Sequence, residues 1–229
     1  MPTEQQSGAA VVIAAYNEAK MIGEVVADVR RVFDQVIVVD DGSRDGTARI
    51  ARDAGATVLV HPINLGQGAA LQTGIAYALR LGAEQVVTFD ADGQHRPEDA
   101  LNMIAVMARE EAQVVLGSRF LGATENMPVS RRLLLRAATV FTRLTTGLKV
   151  TDAHNGLRLL RADAAASIRI RQNRMAHASE ILEEIARHGL SYVEAPVVVR
   201  YTEYSRAKGQ SGFGAFNILL DLLLARMRK

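Results

Sequence analysis

The 229-residue chain contains no cysteine, which excludes a disulfide framework and any cysteine-ligated zinc site. That absence fits a reducing compartment, and the cytosol is the simplest expectation. A strong charge of one sign is also missing: 27 Lys and Arg against 25 Asp and Glu leave a formal +2. The balance gives no indication of nucleic-acid binding. No uncharged apolar run approaches the roughly 20 residues that span a bilayer, and the opening MPTEQQSG lacks the basic and apolar regions of a secretory leader. A soluble or peripheral protein is expected. There is no internal repeat, no low-complexity tract, no G-x-G-x-x-G dinucleotide fingerprint and no Walker A lysine motif. What is present is core-forming material: 48% of residues are hydrophobic, enough at this length for one domain over residues 1–229.

Short β-branched runs recur through the first half, at 10–15, 35–40, 56–60, 85–90 and 113–117. Each is about one buried strand long. Helix-forming residues with helical spacing fill the intervals near 18–33, 44–54, 67–82 and 97–109. This alternation predicts an α/β fold, a doubly wound and mostly parallel sheet with helices on both faces. After residue 118 the rhythm changes to a polar loop, a basic helix near 130–146, a short strand at 156–161, a helix at 176–188 and a strand at 191–199. Phe213, Phe216, Leu220, Leu223 and Met227 then recur at three- and four-residue spacing, predicting an amphipathic helix over 213–229.

In open parallel sheets ligands sit beyond the carboxyl ends of the strands, so polar residues that close apolar runs are the ones to inspect. Asp90 and Asp92 follow the run VVTF one residue apart. Such a pair suits a hard cation, since Mg2+ or Mn2+ is usually held by one or two carboxylates with substrate phosphates and water. A bare Asp-x-Asp is a weak signal, because most examples are turn residues or helix caps. Asp40 and Asp41 close another strand and lead through Gly42, Ser43 and Gly46 into a turn, with a helix N-cap expected at Ser43 or Asp45. In NLGQGAALQTG (64–74), Gly66 and Gly68 open a helix whose backbone N–H groups can approach an anion. Arg131, Arg132, Arg136 and Arg143 cluster in the basic helix, the last three near one face.

Together these segments resemble the family 2 glycosyltransferases of the GT-A fold, and among them the dolichol-phosphate mannose and polyprenyl-phosphate glucose synthases. The matching blocks are AAYNEA (14–19), VVDDGSRDGT (38–47), NLGQGAALQTG (64–74), TFDADGQHRPED (88–99), GSRF (117–120), DAHNGLR (152–158) and KGQS (208–211), in order along nearly the whole chain. The resemblance implies a nucleotide-sugar-binding half (1–118), an acceptor half (119–212) and the C-terminal helix. It places Asp40 at the donor's nucleotide, with Ala15, Tyr16, Glu18, Asp41, Gly68 and Ala91 along the donor site. It implies a divalent Mg2+ or Mn2+ on Asp90 and Asp92, with Gln94 in support. Arg119 resembles an arginine near the phosphates and Arg131 a second, with Arg132 as an equal alternative. Arg206, Lys208 and Ser211 resemble a loop that closes over the donor, and Glu180 an acid facing the acceptor. The absence of tryptophan removes the Gln-x-x-Arg-Trp motif of processive cellulose- and chitin-type synthases. A single-addition enzyme is implied.

The expected reaction is inverting transfer of a hexose from a GDP- or UDP-sugar to a polyprenyl phosphate. A saccharide or glycolipid hydroxyl is the alternative acceptor and would need a general base, for which Glu180, Asp152 and His154 are candidates. A non-catalytic nucleotide-binding scaffold is the reading from a different class. Lipid contact would fall to the basic helix, the tail or a small membrane-protein partner, on the cytoplasmic face of the membrane.

Overall fold

The computed structural model describes residues 6–125, 127–172 and 176–201. The chain alternates β1 (Gln6–Ala15), α1 (Ile22–Arg30), β2 (Phe33–Asp40), α2 (Thr47–Asp53), β3 (Thr57–Val60), α3 (Gln67–Arg80), β4 (Gln85–Asp90), α4 (Pro97–Glu110) and β5 (Val114–Glu125). Then follow α5 (Val129–Thr146), β6 (Arg158–Arg161), α6 (Ala162–Ser167), α7 (Ala176–Arg187) and β7 (Tyr192–Arg200). The strands form one sheet in the order β3-β2-β1-β4-β6-β5-β7. Among the described strands only β6 is antiparallel to its neighbours, wedged between β4 and β5.

The central strands are apolar on both sides because both sides are covered. Val11 and Ile13 of β1 point into a core with Val26 of α1, Ala51 of α2 and Met103 of α4. The alternate residues Ala10 and Val12 pack on the other face with Leu71 and Ile75 of α3, Ala164 of α6 and Ile181 of α7. Parallel register then brings three strand ends to one level, Ala15 pairing with Asp40 and Ala14 with Asp90.

The expected order of elements is observed, with four differences. The first helix begins at Ile22 rather than near 18, because residues 17–19 are bonded to the loop after β2. The N-cap of α2 is Gly46, not Ser43 or Asp45. Ser43 Oγ instead accepts the Asn17 N–H, while Asp45 accepts those of Thr47 and Ala19. β5 runs on to Glu125 through the expected polar loop, because Ala123–Glu125 pair with β7 after a register shift. The short helix α6 lacks enough turns for a visible hydrophobic period. The amphipathic tail at 213–229 lies outside the described residues.

Candidate active site

The ends of β1 and β4 open into a cavity of about 450 Å³, a size typical of small-ligand sites. Ala15, Tyr16, Glu18 and Asp41 line one side, Asp90, Ala91, Asp92 and Gln94 the centre, and Arg119 and Arg131 the other side.

The donor-side wall is held by hydrogen bonds between two loops. Asn17 N–H donates to Ser43 Oγ at 2.8 Å, and Arg44 N–H donates back to Asn17 Oδ1 at 3.0 Å. Glu18 N–H donates to Thr47 Oγ1 at 2.8 Å. Asp41 acts as a clamp: Oδ1 accepts the Leu65 N–H and bonds His61, while Oδ2 accepts the Gly66 N–H at 2.7 Å. Gly42 makes the turn possible, since its φ of +73° and the Ile63 backbone beside it leave no place for a Cβ.

At the centre, burial alone would raise the Asp90 pKa, but the hydrogen bond from His95 and the nearby His95, His177 and Arg158 charges hold it below the usual range. His95 Nε2 lies 3.1 Å from Asp90 Oδ2 and Gln67 Nε2 lies 3.3 Å from Oδ1. Asp92 goes the other way: burial and then the Asp90 charge push it up to about 6. Two acids in one site, one of them made harder to ionise by burial and then by its neighbour's charge, make a set of hard oxygen donors short of positive charge. That set fits a divalent cation. Among the described residues no group of three or more His, Asp or Glu side chains is arranged to hold an ion. A cation here would take its remaining ligands from substrate oxygens and water, as Mg2+ and Mn2+ do.

The opposite wall is built on Arg119. Its Nε meets Asp152 Oδ2 at 2.6 Å, Nη1 donates to the Tyr201 hydroxyl at 2.8 Å and Nη2 to the His154 carbonyl at 2.7 Å. Burial lowers its pKa, but Asp152 and Tyr201 outweigh that and the net shift is upward. Arg131 stacks over the Tyr201 ring, its guanidinium carbon 5.1 Å from the centroid. Burial, then the Arg158 charge, drive His154 down to about 4, so it is neutral at physiological pH.

The family described as Glycosyl transferase family 2 matches residues 10–169. The chain belongs to this family. The transferase is 34% identical to UDP-N-acetylglucosamine–dolichyl-phosphate N-acetylglucosaminyltransferase of Methanococcus voltae, over 96% of this chain and 96% of the relative. It is 30% identical to polyprenol monophosphomannose synthase of Mycolicibacterium smegmatis, over 91% of this chain and 82% of that one. Its fold matches the crystal structure of glucosyl-3-phosphoglycerate synthase from Mycobacterium tuberculosis in complex with Mn2+, UDP-glucose and phosphoglyceric acid, with a TM-score of 0.72 and 20% identity. That likeness covers 95% of this chain and 80% of the other. The GT-A fold and glycosyltransferase activity follow from these relationships.

Not every expected site residue of the transferase lies in the cavity. Asp40 is buried, its Oδ1 accepting the Ser43 N–H, and it is absent from the lining. Gly68 faces the Gln172 carbonyl, which a Cβ would overlap, so it serves packing of α3 rather than anion approach. The Gly66 N–H, expected from the sequence to approach an anion, is taken by Asp41. Glu180 also lies outside the lining; its Oε2 accepts the Arg171 and Gln172 N–H groups at 2.9 and 2.8 Å, which makes it an anchor for that turn. Arg206, Lys208 and Ser211 lie outside the described residues.

Conversely, the transferase places Gln67, His95, Asn155, Gly156, Arg158 and His177 in the wall, none of which had been given a role. Arg158 had a legible signal, a charge opening the apolar strand RLLR. Buried arginine is rare without a partner. Tyr201 had none, because its contacts with Arg119 and Arg131 are distant in sequence.

Proposed function

We propose that this transferase moves a hexose from a nucleotide-diphosphate sugar to a polyprenyl-type phosphate with inversion. Residues 1–118 hold the donor's nucleotide and diphosphate, and residues 119–212 meet the acceptor and the transferred sugar. The acidic pair Asp90 and Asp92 would hold a divalent Mg2+ or Mn2+; when bound, that ion supplies neutralising charge for the leaving diphosphate. Gln94 N–H orients Asp92 by donating to Oδ1 at 3.1 Å. Arg131, at the cavity wall and stacked on Tyr201, is the guanidinium offered to an acceptor phosphate. Arg119, with one donor of each guanidinium nitrogen committed to a protein acceptor, positions Tyr201 and hence Arg131.

The observation that favours a phosphate over a hydroxyl acceptor is that two of the three candidate bases are held by protein donors and the third is a weak base. Glu180 is bonded to two backbone N–H groups, Asp152 is paired with Arg119, and His154 is held at about 4. A phosphate monoester has its second pKa near 6 and is already nucleophilic at neutral pH, so it needs no base. The test is product formation with polyprenyl phosphate against saccharide acceptors, combined with Glu180→Gln. Turnover of the lipid phosphate, with Glu180→Gln retaining kcat within a few-fold, is expected. Turnover of saccharides alone, with a hundredfold loss in the variant, would overturn the proposal.

We also place the protein at the cytoplasmic face of a membrane, peripherally. Among the described residues no helix is long and apolar enough to cross a bilayer. On α5, Val129, Leu133, Val140 and Leu144 are exposed in one stripe, edged by Arg132, Arg136 and Arg143. Apolar side chains beside arginines suit an anionic lipid surface. Pelleting with anionic vesicles, lost when Leu133 and Leu144 become Glu, is the expected result; equal pelleting of both forms would remove α5 from this role.

A further inference from the structure

Arg158 is the more deeply buried of the two buried arginines in the cavity wall, at 3% exposed, yet it has little protein to bond. A guanidinium carries five N–H donors. Among the described residues the Arg158 side chain forms a single hydrogen bond, from Nη2 to the Ala178 carbonyl at 3.4 Å, longer than the usual range. Arg119, in the same wall, has all three of its guanidinium nitrogens within 2.8 Å of an acceptor. Burial with so few acceptors pushes the Arg158 pKa down to about 10, although the Asp90 and Asp152 charges oppose the shift. With so few protein acceptors, the Arg158 guanidinium is left to the cavity that it lines, where its N–H donors suit an oxygen-rich ligand.

Position selects the ligand. β6 lies on the far side of β4 from β1 and β2, whose loops carry Tyr16, Glu18 and Asp41. Arg158 is the register partner of Thr88, two residues below Asp90 and thus about 7 Å deeper along the strands. The Thr88 hydroxyl donates to the Gly156 carbonyl at 2.7 Å and fixes this segment against β4. A donor with its nucleotide on the β1 and β2 loops and its diphosphate at Asp90 and Asp92 extends its sugar towards β6.

The geometry points to Arg158 as a binding residue of the hexose subsite, its planar fork donating paired N–H bonds to hydroxyl oxygens of the transferred sugar. This assignment rests on the donor reading above. Lysine keeps the charge beside Asp90 but loses the fork, so Arg158→Lys separates recognition of the sugar from general electrostatic support.

The experiment is calorimetric titration of the wild type and Arg158→Lys, in Mn2+, with UDP, GDP, UDP-glucose, UDP-N-acetylglucosamine and GDP-mannose. For whichever nucleotide the wild type binds, Arg158→Lys should keep its affinity for the bare diphosphate within about twofold and lose about tenfold or more for the nucleotide sugar. Equal losses for both ligands, or no loss for the sugar, would overturn the assignment while leaving the donor reading standing. A wild type that binds none of the five ligands would remove both. Should the variant not fold, the wild-type crystal structure with donor decides the matter: a guanidinium nitrogen within hydrogen-bond reach of a hexose hydroxyl supports the assignment, and separation by more than about 4 Å from every hexose oxygen overturns it.

Discussion

Arg119 and Asp152 form an ion pair 2.6 Å long whose side chains are only 5% and 0% exposed. Two charges withdrawn so far from water are tolerable only together. Removing one strands the other, at a typical cost of about 3–5 kcal/mol. Asp152→Ala should therefore lower stability by that order in urea unfolding, and weaken acceptor use in whatever protein remains folded, because Arg119 holds the Tyr201 hydroxyl. A loss under about 1 kcal/mol would show that the pair is not closed in solution.

Asp92 has the opposite character. Its folded pKa of about 6 stands above the ordinary 3.8, so the folded state resists its ionisation. The penalty is absent below about pH 4, grows between pH 4 and 6, and is complete above. Asp92→Asn should accordingly raise the metal-free melting temperature at pH 7.5, by an amount equivalent to about 1–2 kcal/mol. The same variant should lose both activity and stabilisation by Mn2+. A variant less stable than wild type without metal would contradict this account of the acidic pair.

His154 contributes a pH dependence of its own. Its folded pKa of about 4 lies below the ordinary 6.5, so the unfolded chain takes up the proton more readily. Stability from this group is present above about pH 6.5 and is lost as the pH falls towards 4. Denaturation across that window should show a shallower acid-side decline for His154→Gln than for the wild type. Parallel curves would place the imidazole in contact with water.

Gly156 packs against the acidic centre so closely that a Cβ would overlap the Asp90 carboxylate. Gly156→Ala must displace that side chain. Turnover should fall about a hundredfold or more, with weaker Mn2+ binding, since a misplacement of about 1 Å at a reacting centre is that costly. Normal kinetics in this variant would show that Asp90 need not hold its observed position.

The strand and helix order was legible because buried parallel strands read as apolar runs, from AVVIAA to QVVTFD. The acidic centre was legible for a related reason, since Asp90 and Asp92 close one of those runs. The second half was harder. β6 is a four-residue strand and α6 a six-residue helix, too short to show a period. Glu180 and Asp41 carry the charge expected of functional acids, yet their oxygens are used by backbone N–H groups at 171–172 and 65–66. Spacing along a chain says nothing of which donors will meet a carboxylate.

The sequence alone determined the layered α/β architecture, the family and the place of the paired carboxylates Asp90 and Asp92 at a strand end, because each depends on local period or on residues contiguous at a strand end. Only the tertiary structure decided which charged groups face the cavity. It paired Arg119 with Asp152 across 33 positions, set Arg131 over Tyr201, and left Arg158 turned to the cavity with one long bond. The physical reason is that a buried charge takes its role from the acceptors and donors within about 3 Å of it, and folding alone brings those together.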